Sequence, residues 1–186
     1  QEDGQIRRRS EGTQAAKILG IEATDFWGVR DYPMELTAVH VEKLAHSIRT
    51  FRPDLILTHS AYDAFNPDHN MVHQLVLKAY ACASGAGFQD GSPVSPRQTP
   101  IFGFEPHCTE ISSFAPVVYV DITDVIDCKK EAMHIFSTQP GMYASYVRKA
   151  EFRGGEAASR GSRPGCRYAE AFSVYQPIAA SGGFVW

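Results

Sequence analysis

The sequence predicts an α/β fold with a mostly parallel sheet, and two observations support this prediction. Segments with the apolar spacing of helices alternate along the chain with short apolar runs that are typical of buried strands. Polar residues with catalytic potential follow directly after these runs, at the carboxyl ends of strands, where open α/β sheets bind ligands. The 186 residues suffice for a single domain, and no internal repeat or second domain is evident.

Composition narrows the class of protein. A net charge of -3 gives no reason to expect a nucleic-acid partner, and no apolar run approaches the ~18 residues that a membrane span needs. The cysteines lie far apart in the sequence, which argues against a cysteine zinc site and predicts free thiols in the reducing cytoplasm. These cysteines are Cys82, Cys108, Cys128 and Cys166.

The chain opens on a predicted helix. The segment "QIRRRSEGTQAAKILGI" predicts a helix from Arg8 to Leu19, with Gly20 at the C-cap position. No strand and no helix-start signal precede this helix. We therefore expect residues 1–186 to form a single domain that is incomplete at its N-terminus.

A predicted helix, strand, loop and helix follow Pro33. The segment "ELTAVHVEKLAHSIRTF" has helical spacing at Val41, Leu44, Ala45 and Ile48. The apolar run in "RPDLILTHS" predicts a strand that is buried on both faces of a parallel sheet. The loop "AYDAFNPDHN" comes next, and Asp68 is the predicted N-cap of the helix after it. The loop is therefore expected at the carboxyl end of a strand.

The remaining segments predict further strands and one helix. A long loop rich in Gly, Ser and Pro covers 83–100, and long loops in compact domains are often functional. The runs "IFGFEPH" and "VVYVDIT" predict strands, and "TDVIDCKKEAMHIFSTQ" predicts a helix with Thr123 as its cap. The last third is rich in glycine and arginine, and "RYAEAFSVYQ" predicts a terminal strand or a docked segment.

The segment "AYDAFNPDHNMVHQ" contains the first candidate site. His69 and His73 are four residues apart, so on a helix they can share a metal ion, or they can be ordinary polar residues of a first turn. Position favours His69, which lies beside the predicted strand end. Asp63, Asn66 and Asp68 are close in sequence, and carboxylates there can orient an imidazole or move a proton. His59, at the strand end, is interpreted as a packed histidine.

Two further groups of polar residues are candidates. Glu105 and His107 follow an apolar strand and can form an acid–base pair. A run of arginines suits an anionic substrate, because guanidinium groups bind carboxylates at two points, although a solvated surface is the alternative. The basic residues of this run are Arg148, Lys149, Arg153, Arg160, Arg163 and Arg167.

Taken together, these segments resemble the PIG-L/LmbE family of zinc-dependent enzymes. "RRRSEGTQAAKILGI" is similar to the family's R-x-x-E-x-x-x-A-A-x-x-L-G helix, "IRTFRPDLILTHSAYDAFNPDHN" to its helix, strand and H-P-D-H loop, and "RYAEAF" to its closing A-E-x-F element. The resemblance covers nearly the whole chain in the right order. It implies a Rossmann-like fold with helices on both faces of the sheet, lacking its first strand in this chain.

The resemblance also implies a zinc cofactor. Family members bind zinc through a histidine and an aspartate of an early H-P-D-D-E segment and through the last histidine of H-P-D-H. His69 matches that last histidine and is the predicted metal ligand. The early segment has no match here, so the remaining ligands are expected from a missing N-terminal segment. Asn66, Asp68, Glu105 and His107 are the predicted catalytic residues.

One position departs from the deacetylases of the family. They usually have histidine at the first position of H-P-D-H, where this chain has Asn66, which can donate a hydrogen bond but carries no charge. The branch that hydrates 4-oxalomesaconate, a tricarboxylate from aromatic-acid breakdown, also has asparagine there. The resemblance thus implies a hydratase with a small anionic substrate. Separately from the resemblance, we expect no nucleic-acid or membrane partner and a homo-oligomeric state. The predicted substrate-binding residues are Arg148, Arg153, Tyr168 and Glu170.

Two other functions stay open at this point. A zinc-dependent N-deacetylase of N-acetylglucosaminyl compounds has the same family pattern. A non-catalytic binding protein is the third possibility if the chain is naturally this short.

Overall fold

The computed structural model describes residues 2–31, 33–95 and 99–176. The helices are α1 (Glu2–Ile18), α2 (Ala38–Phe51), α3 (Pro67–Ala83), α4 (Ile126–His134) and α5 (Met142–Ser159). The strands are β1 (Ile56–His59), β2 (Ile101–Phe104), β3 (Val118–Asp121) and β4 (Ala169–Val174). In this part of the chain, no helix has the length and apolar character needed to cross a membrane.

The strands form one mixed sheet in the order β1-β2-β4-β3. β1 pairs with β2 in parallel, and β2 pairs with β4 antiparallel. Next to β3, the N–H groups of Val117 and Ile122 donate to the carbonyls of Phe172 and Tyr168, each at 2.9 Å. The predicted α/β class is confirmed. The strand that runs antiparallel to β2 is β4, the last strand in the chain.

The chain divides into two compact units. The first comprises 1–29 and 119–171, and α1, α4 and α5 belong to it. The second comprises 30–118 and the residues from 172 on, and α2, α3, β1 and β2 belong to it. In the second unit α2 packs on α3 through a core of one isoleucine and three alanines, namely Ala45, Ile48, Ala79 and Ala83. This close packing fixes the position of α3, which supports the candidate site.

The start of α3 differs from the prediction. Asn66, and not Asp68, is the N-cap: its backbone is extended with φ at -132°, and its side chain accepts the N–H of Asp68. Pro67 occupies the first helical position, where its missing N–H costs nothing. The prediction of Asp68 as the cap was wrong, because the proline places the helix start before it. Asp68 lies in the first turn and accepts the N–H of Met34 at 3.3 Å.

Two other local predictions were also wrong. β1 is not buried on both faces, since it lies at the edge of the described sheet and the Leu57 side chain is 53% exposed. Thr123 does not cap α4, because Val125 takes that position. The Thr123 hydroxyl oxygen instead accepts the N–H groups of Arg167 and Tyr168, at 2.9 and 3.2 Å.

Helix α5 was not predicted, because Gly154 and Gly155 interrupt its sequence pattern. Packing explains why position 154 is a glycine. A Cβ there would lie within 2.6 Å of the backbone nitrogen of Tyr168 and would collide with Arg167. The segment before β4 therefore lies directly against the helix backbone. Gly155 has nothing within 4 Å of its own Cβ position.

This contrast gives a test of the packing of α5. Gly154→Ala should lower the free energy of unfolding by about 1–3 kcal/mol, because backbone cannot move aside as a side chain can. Gly155→Ala is the matched control and should raise it by about 0.5–1 kcal/mol, because alanine favours the helix. Urea denaturation measures both, and equal changes in the two variants would contradict the described packing.

Candidate active site around His69

His69 is held on both ring nitrogens by neighbours from its own loop. Its Nδ1 lies 2.9 Å from Oδ2 of Asp63, and because a carboxylate only accepts, Nδ1 carries a proton. Its Nε2 lies 2.9 Å from the amide nitrogen of Asn66. The Asn66 oxygen already accepts the N–H of Asp68 at 3.2 Å, so the amide presents its N–H₂ to the ring. The lone pair of a neutral His69 is therefore at Nε2.

Asp63 is the buried anion of this site. Its side chain is 2% exposed, and Oδ1 accepts the N–H groups of Phe65 and Asn66 at 3.0 and 3.2 Å. Burial by itself would raise the pKa of Asp63, but the hydrogen bonds from His69 and from these N–H groups outweigh burial and lower the pKa. Asp63 is thus ionised and able to orient the imidazole.

Other aromatic rings surround His69. His59, at the end of β1, stacks on it with ring centroids 3.9 Å apart and an angle of 18° between the planes. Phe104 meets His59 edge-on at 4.6 Å, and the ring of His107 is 5.6 Å from that of His69. Burial and the neighbouring His69 lower the pKa of His59 to about 4, so His59 is neutral at physiological pH.

His73 has a different role from His69. It is 2% exposed, and its Nδ1–H donates to the carbonyl of His59 at 2.9 Å. Its ring meets that of Tyr175 edge-on at 4.6 Å, and the Tyr175 hydroxyl accepts the N–H of Ala61 at 2.7 Å. His73 and Tyr175 therefore fix the backbone between β1 and the loop.

The second unit brings several of the predicted catalytic residues near His69. Asn66 contacts its ring directly, and Asp68 lies in the same first turn of α3. His107 is exposed and lies beside the ring stack. Glu105 is partly buried and accepts the hydroxyl of Thr109 at 2.6 Å. The stacking of His59 on His69 was not predicted from the sequence. The position of His59 at the end of a predicted strand was the one signal that could have placed it near the site.

The predicted substrate-binding arginines belong to the first unit. Arg148 is exposed on α5. Arg153 is 7% exposed, forms an ion pair with Glu156, and lies over the ring of Phe152. Glu156 also accepts the hydroxyl of Tyr119 at 3.2 Å. Arg153 thus has partners within the helix, whereas Arg148 is presented to solvent.

The other two predicted substrate-binding residues also lie in the first unit. Glu170 is on β4 and forms an ion pair with Lys129. The partly buried ring of Tyr168 packs on the small core of Ile122, Ile126 and Ala150. Lys130 lies over the same ring, 5.4 Å from its centroid. Both side chains therefore have structural contacts in their own unit, and their binding role stays a prediction.

The described residues fit one metal ligand and do not complete a site. A carboxylate on Nδ1 is the usual partner of a metal-ligating imidazole, and it leaves the lone pair of His69 at Nε2. In this structure that lone pair accepts an N–H of Asn66, so a bound cation would replace this hydrogen bond. A catalytic zinc site needs three protein ligands. Among the residues that the structure describes, no group of three or more His, Cys, Asp or Glu side chains is arranged to hold a metal.

Comparisons with known proteins agree with this fold and loop. Residues 1–80 match the PIG-L family, described as GlcNAc-PI de-N-acetylase. A 4-oxalmesaconate hydratase from Pseudomonas putida is 33% identical over 150 residues, 81% of this chain and 57% of the relative. A diacetylchitobiose deacetylase from Thermococcus kodakarensis is 27% identical over 140 residues, 72% of this chain and 50% of the relative.

A solved structure gives the same assignment. The crystal structure of GalB, the 4-carboxy-2-hydroxymuconate hydratase from Pseudomonas putida, is 30% identical, with a TM-score of 0.88 over 95% of this chain and 74% of that chain. The chain therefore belongs to the PIG-L family, whose members are generally metal-dependent enzymes. It spans about half the length of the curated relatives that it matches.

The contacts of His73 predict a structural role that can be measured. His73→Leu should lower the free energy of unfolding by about 1–3 kcal/mol, because the carbonyl of His59 loses its buried donor. His73→Asn should recover part of this loss if its amide N–H reaches the same carbonyl. The control is Gln74→Leu, an exposed position on the same helix, with a change of about 0.5 kcal/mol or less. Equal urea-denaturation midpoints for His73→Leu and Gln74→Leu would contradict the assignment.

Proposed function

We propose that this chain is the core of a hydratase that adds water to a small unsaturated oxo-tricarboxylate such as 4-oxalomesaconate. The observation that carries the proposal is the identity of Asn66, a neutral amide that lies beside the ring of His69. The family's deacetylases use a histidine at this position to stabilise an oxyanion. An amide cannot supply that positive charge, so the site suits hydration better than amide hydrolysis. Similarity to hydratase from Pseudomonas putida, in sequence and in solved structure, supports the same choice.

We propose zinc as the cofactor, with His69 as one ligand through Nε2. A bound zinc ion would supply Lewis-acid activation of water or of a substrate oxygen. Asp63 would hold the ring and its Nδ1 proton, and the stacked ring of His59 would restrict its tilt. The remaining ligands of the proposed site come from residues that the structure does not describe or from chain beyond this sequence.

Proton transfer in the proposed reaction needs one group to take a proton from water and another to give a proton to carbon. We assign this work to His107 and Glu105, which follow β2 at its carboxyl end. His107 is the better placed of the two, because its ring is exposed and 5.6 Å from that of His69. Asp68 is the third candidate, and its carboxylate also accepts the N–H of Met34.

The proposed substrate carries several carboxylates and needs cationic partners. Arg148 is the first candidate, because it is exposed on α5. Arg153 is a weaker candidate than the sequence suggested, since Glu156 already pairs with it. Tyr168 and Glu170 are further candidates, because they belong to the segment that resembles the family's closing A-E-x-F element.

The proposed setting is a homo-oligomer in the cytoplasm, without a nucleic-acid or membrane partner. The four cysteines are free thiols, which supports a reducing compartment. Exposed apolar side chains of the second unit, Leu57 and Val117 among them, support an interface between subunits.

A zinc-dependent deacetylase of an N-acetylglucosaminyl compound is the second candidate. The similarity to diacetylchitobiose deacetylase, at 27% identity, favours it. The first residue of the N-P-D-H motif argues against it, since Asn66 stands where that chemistry uses histidine.

The reaction is tested directly on the intact protein. Loss of the ultraviolet absorbance of 4-oxalomesaconate should be observed, because hydration removes the conjugated double bond. Acetate release from N-acetylglucosaminyl conjugates, followed in parallel, should stay at background. Acetate release without hydration would overturn the proposal in favour of the deacetylase.

The metal assignment is tested by zinc content. His69→Ala should lose stoichiometric zinc in the intact protein, because one of the three protein ligands disappears. His73→Asn is the control and should keep its zinc, since the Nδ1 of His73 donates to a backbone carbonyl. Equal zinc per chain in wild type and His69→Ala, measured by atomic emission, would contradict the assignment.

A further inference from the structure

The side-chain amide of Asn70, the residue after His69, bonds to both the backbone N–H and the backbone carbonyl of Asp63. Its Oδ1 accepts the N–H of Asp63 at 2.7 Å, and its Nδ2 donates to the carbonyl of Asp63 at 3.2 Å. The two bonds have opposite polarity, so they also fix the orientation of the amide. A side-chain amide is the group that can make this pair of contacts to one residue.

These bonds close a ring of contacts at the start of α3. Asp63 is joined to Asn70 through its backbone and to His69 through its carboxylate. His69 and Asn70 are consecutive on a rigid helix, so Asp63 is held against two fixed points. Because the side chain of aspartate is short, the position of its backbone decides where its carboxylate lies.

We propose that Asn70 is a positioning residue for the active site. It holds Asp63 so that the carboxylate keeps the proton of His69 on Nδ1 and leaves the lone pair at Nε2. The inference rests on the proposed function in one respect, namely that the Nε2 of His69 is the atom used. Asn70 itself acts only through Asp63.

The helix offers a matched control for this role. A groove of about 590 Å³ lies between the starts of α2 and α3, and both Asn70 and Gln74 line it. Gln74 is exposed, one turn further along α3. Among the described residues, the hydrogen bonds of Asp63 are made with Phe65, Asn66, His69 and Asn70. Gln74→Ala therefore removes an amide from the same groove and leaves these bonds in place. Asn70→Ala removes both bonds to Asp63, and Asn70→Asp keeps an acceptor for the Asp63 N–H alone.

The first measurement needs neither metal nor substrate. Nitrogen-15 NMR of the imidazole of His69 reports which ring nitrogen carries the proton. At a pH where the ring is neutral, wild type and Gln74→Ala should show the Nδ1–H tautomer. Asn70→Ala should show a mixture of the two tautomers, and Asn70→Asp should lie between these results. A merely structural role would lower stability without changing the tautomer.

The second measurement uses the intact protein with zinc. Residues that support a ligand through its hydrogen-bond partner typically change metal affinity by 10–100-fold, so Asn70→Ala should weaken zinc binding by about 10-fold. Turnover of 4-oxalomesaconate should fall through kcat, with KM changed less, because the substrate-binding residues are untouched. Gln74→Ala should match wild type in zinc affinity, kcat and KM.

The outcomes separate this inference from the proposed reaction. If Asn70→Ala is folded, keeps the Nδ1–H tautomer and binds zinc as wild type does, the inference is overturned. If Asn70→Ala does not fold, an unchanged tautomer and zinc affinity in Asn70→Asp overturn it instead. A changed tautomer in a protein that never hydrates the substrate supports the inference while the proposed reaction fails.

Discussion

The hydrogen bond between the carboxylate of Asp63 and Nδ1 of His69 is the interaction on which the site depends. It places an ionised group in a nearly buried position and uses it to fix both the ring and its tautomer. A buried carboxylate without such partners would be costly, and here His69 and two backbone N–H groups compensate it. Asp63 must therefore lie where these three donors can reach its carboxylate, and the start of α3 provides that position.

Helix α3 provides the fixed frame for this bond. Asn66 and Pro67 begin the helix, and the packing of α3 on α2 through alanine and isoleucine side chains holds it in place. Successive residues of the helix then reach different parts of the loop. Asn70 binds the backbone of Asp63, and His73 binds the carbonyl of His59. The side chains that do chemistry are thus supported by side chains that only position them, as precise sites require.

Much of the site could be predicted from sequence, since helical spacing and strand ends place the loop, and family resemblance selects His69. The helix start could not be placed as well, because Asn66 and Asp68 are both good caps and the proline decides between them. Helix α5 was missed, since glycine is rare in helices and the close approach of Arg167 to Gly154 is a tertiary fact. The stacking of His59 on His69 and the bonds of Asn70 to Asp63 likewise depend on three-dimensional positions that no local pattern encodes.

The central claim is that the Nε2 of His69 is the atom that the site presents to a metal, with Asp63 behind the ring. Anomalous diffraction at the zinc edge, from crystals of the intact protein grown with zinc, tests this claim most directly. An anomalous peak is expected about 2.0–2.1 Å from Nε2 of His69, with Asp63 still bonded to Nδ1. A peak on His59 or His107 without His69, or a His69 ring turned away from Asp63, would contradict it.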